Sequence, residues 1–149
     1  MIKDHGMHLA LIEAQKAFDA SEVPVGCVII WQDKVIAKTF NQTLLDNNPC
    51  SHAEILAITE ACKKIGNHRL IDCDLYVTLE PCLMCIGAMI QARIRRLYYA
   101  TKDSRVGILS KNILQNHIQE VNHRMQIIHD QPFEERASRL LKTFFQQKR

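Results

Sequence analysis

The chain has 149 residues, 47% of them apolar and 23% charged, with a formal net charge of +3. This composition suits a single domain, residues 1–149, that buries a core without staples, and it excludes collagen-like, low-complexity and disordered classes. The longest apolar run, Val25 to Trp31, falls far short of the about 20 residues that a bilayer-crossing helix needs, and Asp4 sits where a secretory leader would be apolar. A cytoplasmic chain without a membrane partner is therefore expected, and its mild positive charge permits a polyanionic partner without requiring one.

Met7, Leu11, Ala14 and Phe18 recur at helical spacing and predict a first helix that ends before Val23-Pro24. Val25–Trp31 and Val35–Phe40, parted by Gln32-Asp33-Lys34, read as a hairpin. After the polar loop around Asn47-Asn48-Pro49, a helix from about His52 to Ile65 is expected to bury Ile55, Leu56, Thr59 and Cys62, and Gly66 is placed to stop it. Leu75–Leu79 is a short strand, and Pro81 suits the first turn of a helix running to about Gln91. A strand at Leu97–Ala100, a short helix near Ile113, a strand around Met125–Ile128 and a last helix follow, the last with Phe133, Ala137, Leu140, Leu141 and Phe144 as its apolar face. Strands alternating with helices after an opening hairpin predict one sheet covered by helices on both faces.

Of the six cysteines, only Cys82 and Cys85 form a close pair; Cys27, Cys62 and Cys73 read as small buried hydrophobes. At i and i+3 on one helix the two sulfurs share a face and reach a single ion. His52 opens the other helix of interest. Nitrogen and sulfur donors suit zinc, and three protein ligands leave the fourth position open, as in catalytic rather than structural sites. Glu54, two residues from His52, supplies a carboxylate able to take a proton from a water activated there. Ser51-x-x-Glu54 is also a capping-box pattern; both functions fit if Ser51 caps the helix while Glu54 turns to the metal. A structural zinc that recruits Cys50 as fourth ligand, in a non-catalytic RNA-binding module, is the reading from a different class.

His52-Ala-Glu54 and Pro81-Cys-Leu-Met-Cys85 together resemble the H-x-E and P-C-x-x-C motifs of the zinc nucleobase deaminases. Within that superfamily the chain is similar to the bacterial tRNA-specific adenosine deaminases over nearly its whole length. Glu22-Val-Pro-Val-Gly26, Phe40-Asn41, Leu75–Cys82, Gly87-Ala-Met-Ile90, Lys102-Asp103, Asn122-His-Arg124 and Phe144-Phe145 carry that likeness. The resemblance implies a three-layer α/β/α sandwich around a five-stranded mixed sheet, of the cytidine deaminase type. It implies one zinc per chain on His52, Cys82 and Cys85, no organic cofactor, and hydrolytic conversion of the wobble adenosine of a tRNA anticodon to inosine. Glu54 would shuttle the protons. Asn41 and the backbone N–H of Ala53 would bind the base, Asp103 and Asn122 would hold the anticodon stem-loop, and the enzyme would be a homodimer. Another deaminase of the same fold, acting on guanine, cytosine or a free nucleoside, is the alternative.

Two groups of cations fit RNA: Arg93, Arg95, Arg96, Lys102 and Arg105 around the second helix of the site, and Arg136, Arg139, Lys142, Lys148 and Arg149 on the last helix and tail. Gly107-Ile-Leu-Ser-Lys111 stands where the family usually carries a small, glycine-rich segment, and Cys50 where a thiol is not expected.

Overall fold

In the computed structural model, residues 2–111 and 123–148 are described. The expected short helix near Ile113, and with it Asn122, lie outside them. Helix α1 (Ile2–Asp19) places Met7, Ala10, Leu11, Ala14 and Ala17 on one buried face, as the spacing predicts. Strands β1 (Gly26–Trp31) and β2 (Lys34–Phe40) form the hairpin. Gln32 and Asp33 both take positive φ, 51° and 63°, the twist that a two-residue turn needs to match two right-twisted strands.

Helix α2 (Ala53–Ile65), β3 (Cys73–Leu79), α3 (Leu83–Ala92), β4 (Arg96–Thr101), β5 (Gln126–His129) and, after one 3-10 turn, α4 (Glu134–Gln147) complete the described elements. The sheet order is β2-β1-β3-β4-β5; β1 pairs antiparallel with β2 and β3, whereas β3, β4 and β5 run parallel. Both the five-stranded mixed sheet and its three layers are as expected.

Alternation along the strands divides the core. Cys27, Ile29, Leu75, Val77, Leu97 and Tyr99 face α2 and α3, whereas Val28, Ile30, Tyr76, Tyr98 and Ala100 face α1 and α4. Helix α1 lies hard against β1: a Cβ on Gly26 would stand 1.9 Å from the Ala10 carbonyl oxygen. Gly66 stops α2 as predicted, at φ 77°, with its N–H donating to the Cys62 carbonyl.

Three local expectations are corrected. The buried face of α2 is Ala53, Glu54, Ala57 and Ala61, while Thr59 is exposed and Ile55, Leu56 and Cys62 are half-buried. Alanine weighs little in a hydrophobic pattern, yet only a small side chain lets a helix lie this close to a sheet. Pro81 precedes the N-cap of α3, Cys82, rather than entering the first turn, and the N-cap of α2 is His52 rather than Ser51. Neither N-cap side chain caps its helix; both are turned to one another.

At the N-terminal ends of the parallel strands, buried Asp74 accepts from Nε and Nη2 of both Arg95 and Arg96 at 2.8–3.0 Å. Burial pushes its carboxyl up, but the two guanidiniums outweigh that and hold it below the usual range. These arginines are thus occupied at the end of the sheet opposite His52 and the cysteines, and do not join the site's cationic cluster.

Candidate metal centre and its cavity

His52 and Cys82 stand where loop becomes helix, the first at the start of α2 and the second at the start of α3, with extended backbone at both (ψ 150° and 173°). Extended N-caps free both side chains from the helical barrel and aim them into the gap between the two helix ends. Cys85, one turn into α3, completes the set. The Cys82 and Cys85 sulfurs lie 3.6 and 3.5 Å from His52 Nδ1. Nitrogen and sulfur donors about 2.0–2.1 and about 2.3 Å from one tetrahedral zinc would be about 3.6 Å apart. Both nitrogen–sulfur separations are therefore those of zinc ligands, and all three donor atoms lie within 4.8 Å of one another. Among the described residues this trio is the one group of three or more such donors that could hold a metal; Cys50 is exposed and stands outside it.

The electrostatics agree with the spacing. The Cys85 thiol, together with His52 and against burial, lowers Cys82 to about 4. The same partnership, with burial and the nearby Glu54, pushes Cys85 up. Contact with Cys82, against burial and with help from the Glu54 charge, raises His52. The donors are crowded into sharing protons, and a divalent cation replaces those protons with one larger charge.

Glu54 is buried beneath this group and contacts the Cys85 side chain. Burial raises its carboxyl above the ordinary range, partly offset by its own backbone N–H and by His52. The carboxylate does not turn back to complete a capping box, as expected from the sequence.

A cavity of about 250 Å³ opens over these residues, lined by Val23, Val25, Asn41, Thr43, His52, Ala53, Glu54, Leu79, Glu80, Cys82, Asp103 and Arg105. It is smaller than the about 300–1,000 Å³ of drug-sized sites and suits a flat nucleobase. Asn41 is buried; its Nδ2 donates to the Val23 carbonyl at 3.3 Å, whereas its Oδ1 finds no partner among the described residues. A buried acceptor without a donor is rare in a folded chain, and here it lines the cavity. Ala53 lines it too, in the first turn of α2, where backbone N–H groups have no intrahelical partner.

Asp103 also lines the cavity, with one carboxylate oxygen folded back to accept the Arg105 and Val106 N–H groups. The structure thus brings together His52, Ala53, Glu54, Cys82, Cys85, Asn41 and Asp103. Thr43, Glu80 and Arg105 join them without having been singled out as cavity residues. A second, open groove of about 640 Å³ shares Val23, Leu79, Asp103 and Arg105 with the cavity and extends along α4 past Lys102, Lys142, Lys148 and the exposed ring of Phe145. Arg136 and Arg139 instead serve local contacts, to His8 and Glu135.

Known proteins share this arrangement of chain. The family model described as MafB19-like deaminase matches residues 1–149. A tRNA-specific adenosine deaminase of Agrobacterium fabrum is 40% identical over 147 residues, covering 99% of this chain and 96% of that protein. One from Rickettsia bellii is 43% identical over 141 residues, covering 93% of this chain and 97% of its own. A structure solved in studies of A-to-I editing by tRNA:A34 deaminases superposes with a TM-score of 0.86 at 39% identity, covering 93% of this chain and 99% of that one.

Proposed function

The chain belongs to the MafB19-like deaminases and, among them, to the tRNA-specific adenosine deaminases, and on that premise we propose that it converts the wobble adenosine of a tRNA anticodon to inosine. The reaction consumes one water and releases one ammonia. The observation that carries it is a buried carboxyl, Glu54, set against a ready metal trio at the floor of a base-sized cavity.

His52, Cys82 and Cys85 would hold a zinc ion, which would supply an acidified water to the cavity. Glu54 takes a proton from the attacking water as the water's oxygen bonds to C6 of the adenine. With its carboxyl raised by burial, it is a stronger base than an exposed carboxylate and passes the proton to the ring nitrogen N1, then conveys the second proton to the departing amine. Asn41 Oδ1 accepts from the purine edge, and the Ala53 N–H donates to it. Val25 and Leu79 pack the ring faces and exclude bulk water.

The adenine must leave its stack to enter, at a cost of a few kcal/mol that is least in a single-stranded loop. The groove along α4 is the path proposed for the flanking strand, with Lys102, Arg105, Lys142 and Lys148 against phosphates and Asp103 near the entering nucleotide. Asn122 keeps its proposed role on the anticodon loop through the resemblance alone. The whole chain is read as one deaminase domain working in the cytoplasm; no helix among its described residues is long and apolar enough to cross a membrane. A second copy of the chain would complete a homodimer, with exposed Leu83 and Met84 beside the metal group as apolar surface for it to cover.

Mass spectrometry of digested tRNA incubated with the purified protein tests the reading. New inosine confined to wobble adenosines is expected; deamination of guanine, cytosine or free nucleosides alone would favour the alternative. A non-catalytic module with a closed zinc site is disfavoured by the exposed Cys50, which stands outside the trio.

A further inference from the structure

Two buried carboxylates outside the metal group each hold a loop that walls the cavity. Glu22 accepts the Leu44 and Leu45 N–H groups at 3.1 and 2.7 Å, securing the segment after β2 that carries Asn41 and Thr43. Glu80 does more. Its Oε1 accepts from the Asp103 N–H and the Ser110 hydroxyl, both at 2.9 Å, and its Oε2 from the Leu109 and Ser110 N–H groups at 2.7 and 2.8 Å. Both ends of the loop from Lys102 to Lys111 are thus pinned to one side chain that is 3% exposed. No helix or strand runs through residues 102–111, so this carboxylate takes the place of a backbone ladder. The chain then continues through Pro81 to the metal-facing Cys82.

We infer that Glu80 is a positioning residue for the RNA substrate, holding the loop so that Asp103 and Arg105 stand at the mouth of the cavity. This rests on the tRNA reading above and adds to it a cause for the loop's placement. The loop itself agrees: Gly107, at φ 53°, lets it turn back towards Glu80, and Leu109 and Ser110 present main-chain donors whatever side chains they carry. The departure at Gly107–Lys111 from a glycine-rich pattern is accommodated because the clamp reads backbone. Ser110 adds a hydroxyl donor that glycine would lack.

Lone-pair geometry makes the inference sharp. Glu80→Gln replaces one two-lone-pair oxygen with an NH₂ group, which can donate but not accept. Placed at Oε2, the amide nitrogen would face two N–H groups. Placed at Oε1, it faces one N–H and a hydroxyl, and the hydroxyl can turn to accept. The amide therefore settles with its nitrogen at Oε1, keeps residues 109 and 110, and releases the Asp103 end.

The test is steady-state deamination of an anticodon stem-loop by zinc-loaded wild type, Glu80→Gln and Ser110→Ala over a range of salt. For Glu80→Gln the expected result is KM raised about tenfold, kcat and zinc content held, and the slope of log KM against log salt reduced by about 0.7, one single-strand phosphate contact. Ser110→Ala, which removes one donor of four, should fall between it and wild type. Unchanged KM and salt slope, with loss only of thermal stability or bound zinc, would make Glu80 a purely structural residue and overturn the inference. If Glu80→Gln does not fold, Glu80→Asp, which keeps the charge and shortens the reach, is read by the same criteria. A wild-type enzyme inactive on the stem-loop would instead refute the tRNA reading, so the two failures are distinct.

Discussion

Replacing Glu54 with glutamine should separate chemistry from folding. The substitution conserves volume and can still hydrogen-bond a water, but an amide cannot take the water's proton. General acid–base groups contribute about 10²–10⁴-fold, or about 2.7–5.4 kcal/mol of barrier. Glu54 is proposed to serve at the attacking oxygen, at N1 and at the amine, so the loss should fall at the upper end. Stability should move the other way. Burial raises the carboxyl in the fold above its unfolded value, so ionising it costs the folded state more than the unfolded one as pH rises through the unfolded value towards the folded one. At neutral pH, well above the unfolded value, the metal-free protein bears this penalty and the neutral amide does not. Chelator-treated Glu54→Gln should therefore melt no lower than chelator-treated wild type, while the zinc-loaded variant is about 10⁴-fold slower. Inosine formation by chromatography, zinc by plasma emission and melting by calorimetry report the three quantities. Retention of more than a tenth of wild-type activity, or zinc lost together with activity, would refute the assignment.

Elemental analysis should find about one zinc per chain; Cys82→Ser should lose it and Cys50→Ser should not, since Cys50 stands outside the trio. Asn41→Ala should lower kcat/KM on the stem-loop by about 10–100-fold, equivalent to about 1.4–2.8 kcal/mol for one hydrogen bond to the base, with zinc unchanged. Asp74→Asn should cost about 1–2 kcal/mol at pH 7, discounted because both arginines are more than a third exposed. The folded pKa of Asp74 is depressed, so its contribution is present above the ordinary value of about 4 and lost as pH falls through the folded one. Denaturation curves of wild type and variant should converge in that acid range.

The trio and Glu54 were legible in the sequence because short spacings, H-x-E and C-x-x-C, fall at helix starts, where adjacency in the chain becomes adjacency in space. The sheet was legible through its alternating apolar runs. Glu80 and Glu22 were not, because a lone carboxylate that binds distant backbone N–H groups leaves no pattern in its donors. Arg95 and Arg96 misled for a related reason: neighbours in sequence to the site's second helix, they are drawn to Asp74 at the far end of the strands. Ser51 has the residue type of a helix cap, but the helix begins one residue later, at the metal-facing histidine.

The alanine face of α2 has a consequence for how this fold can vary. Ala53, Ala57 and Ala61 are side chains through which the helix packs on the sheet, and the helix carries His52 at its tip and Glu54 in its first turn. A bulkier side chain at Ala57 would lever the whole rod outward and swing both away from the cysteines, which are anchored on a different helix. The tolerance of the metal geometry is thus written in residues that donate nothing to a metal, and drift at those methyl groups would erode activity before any ligand changed.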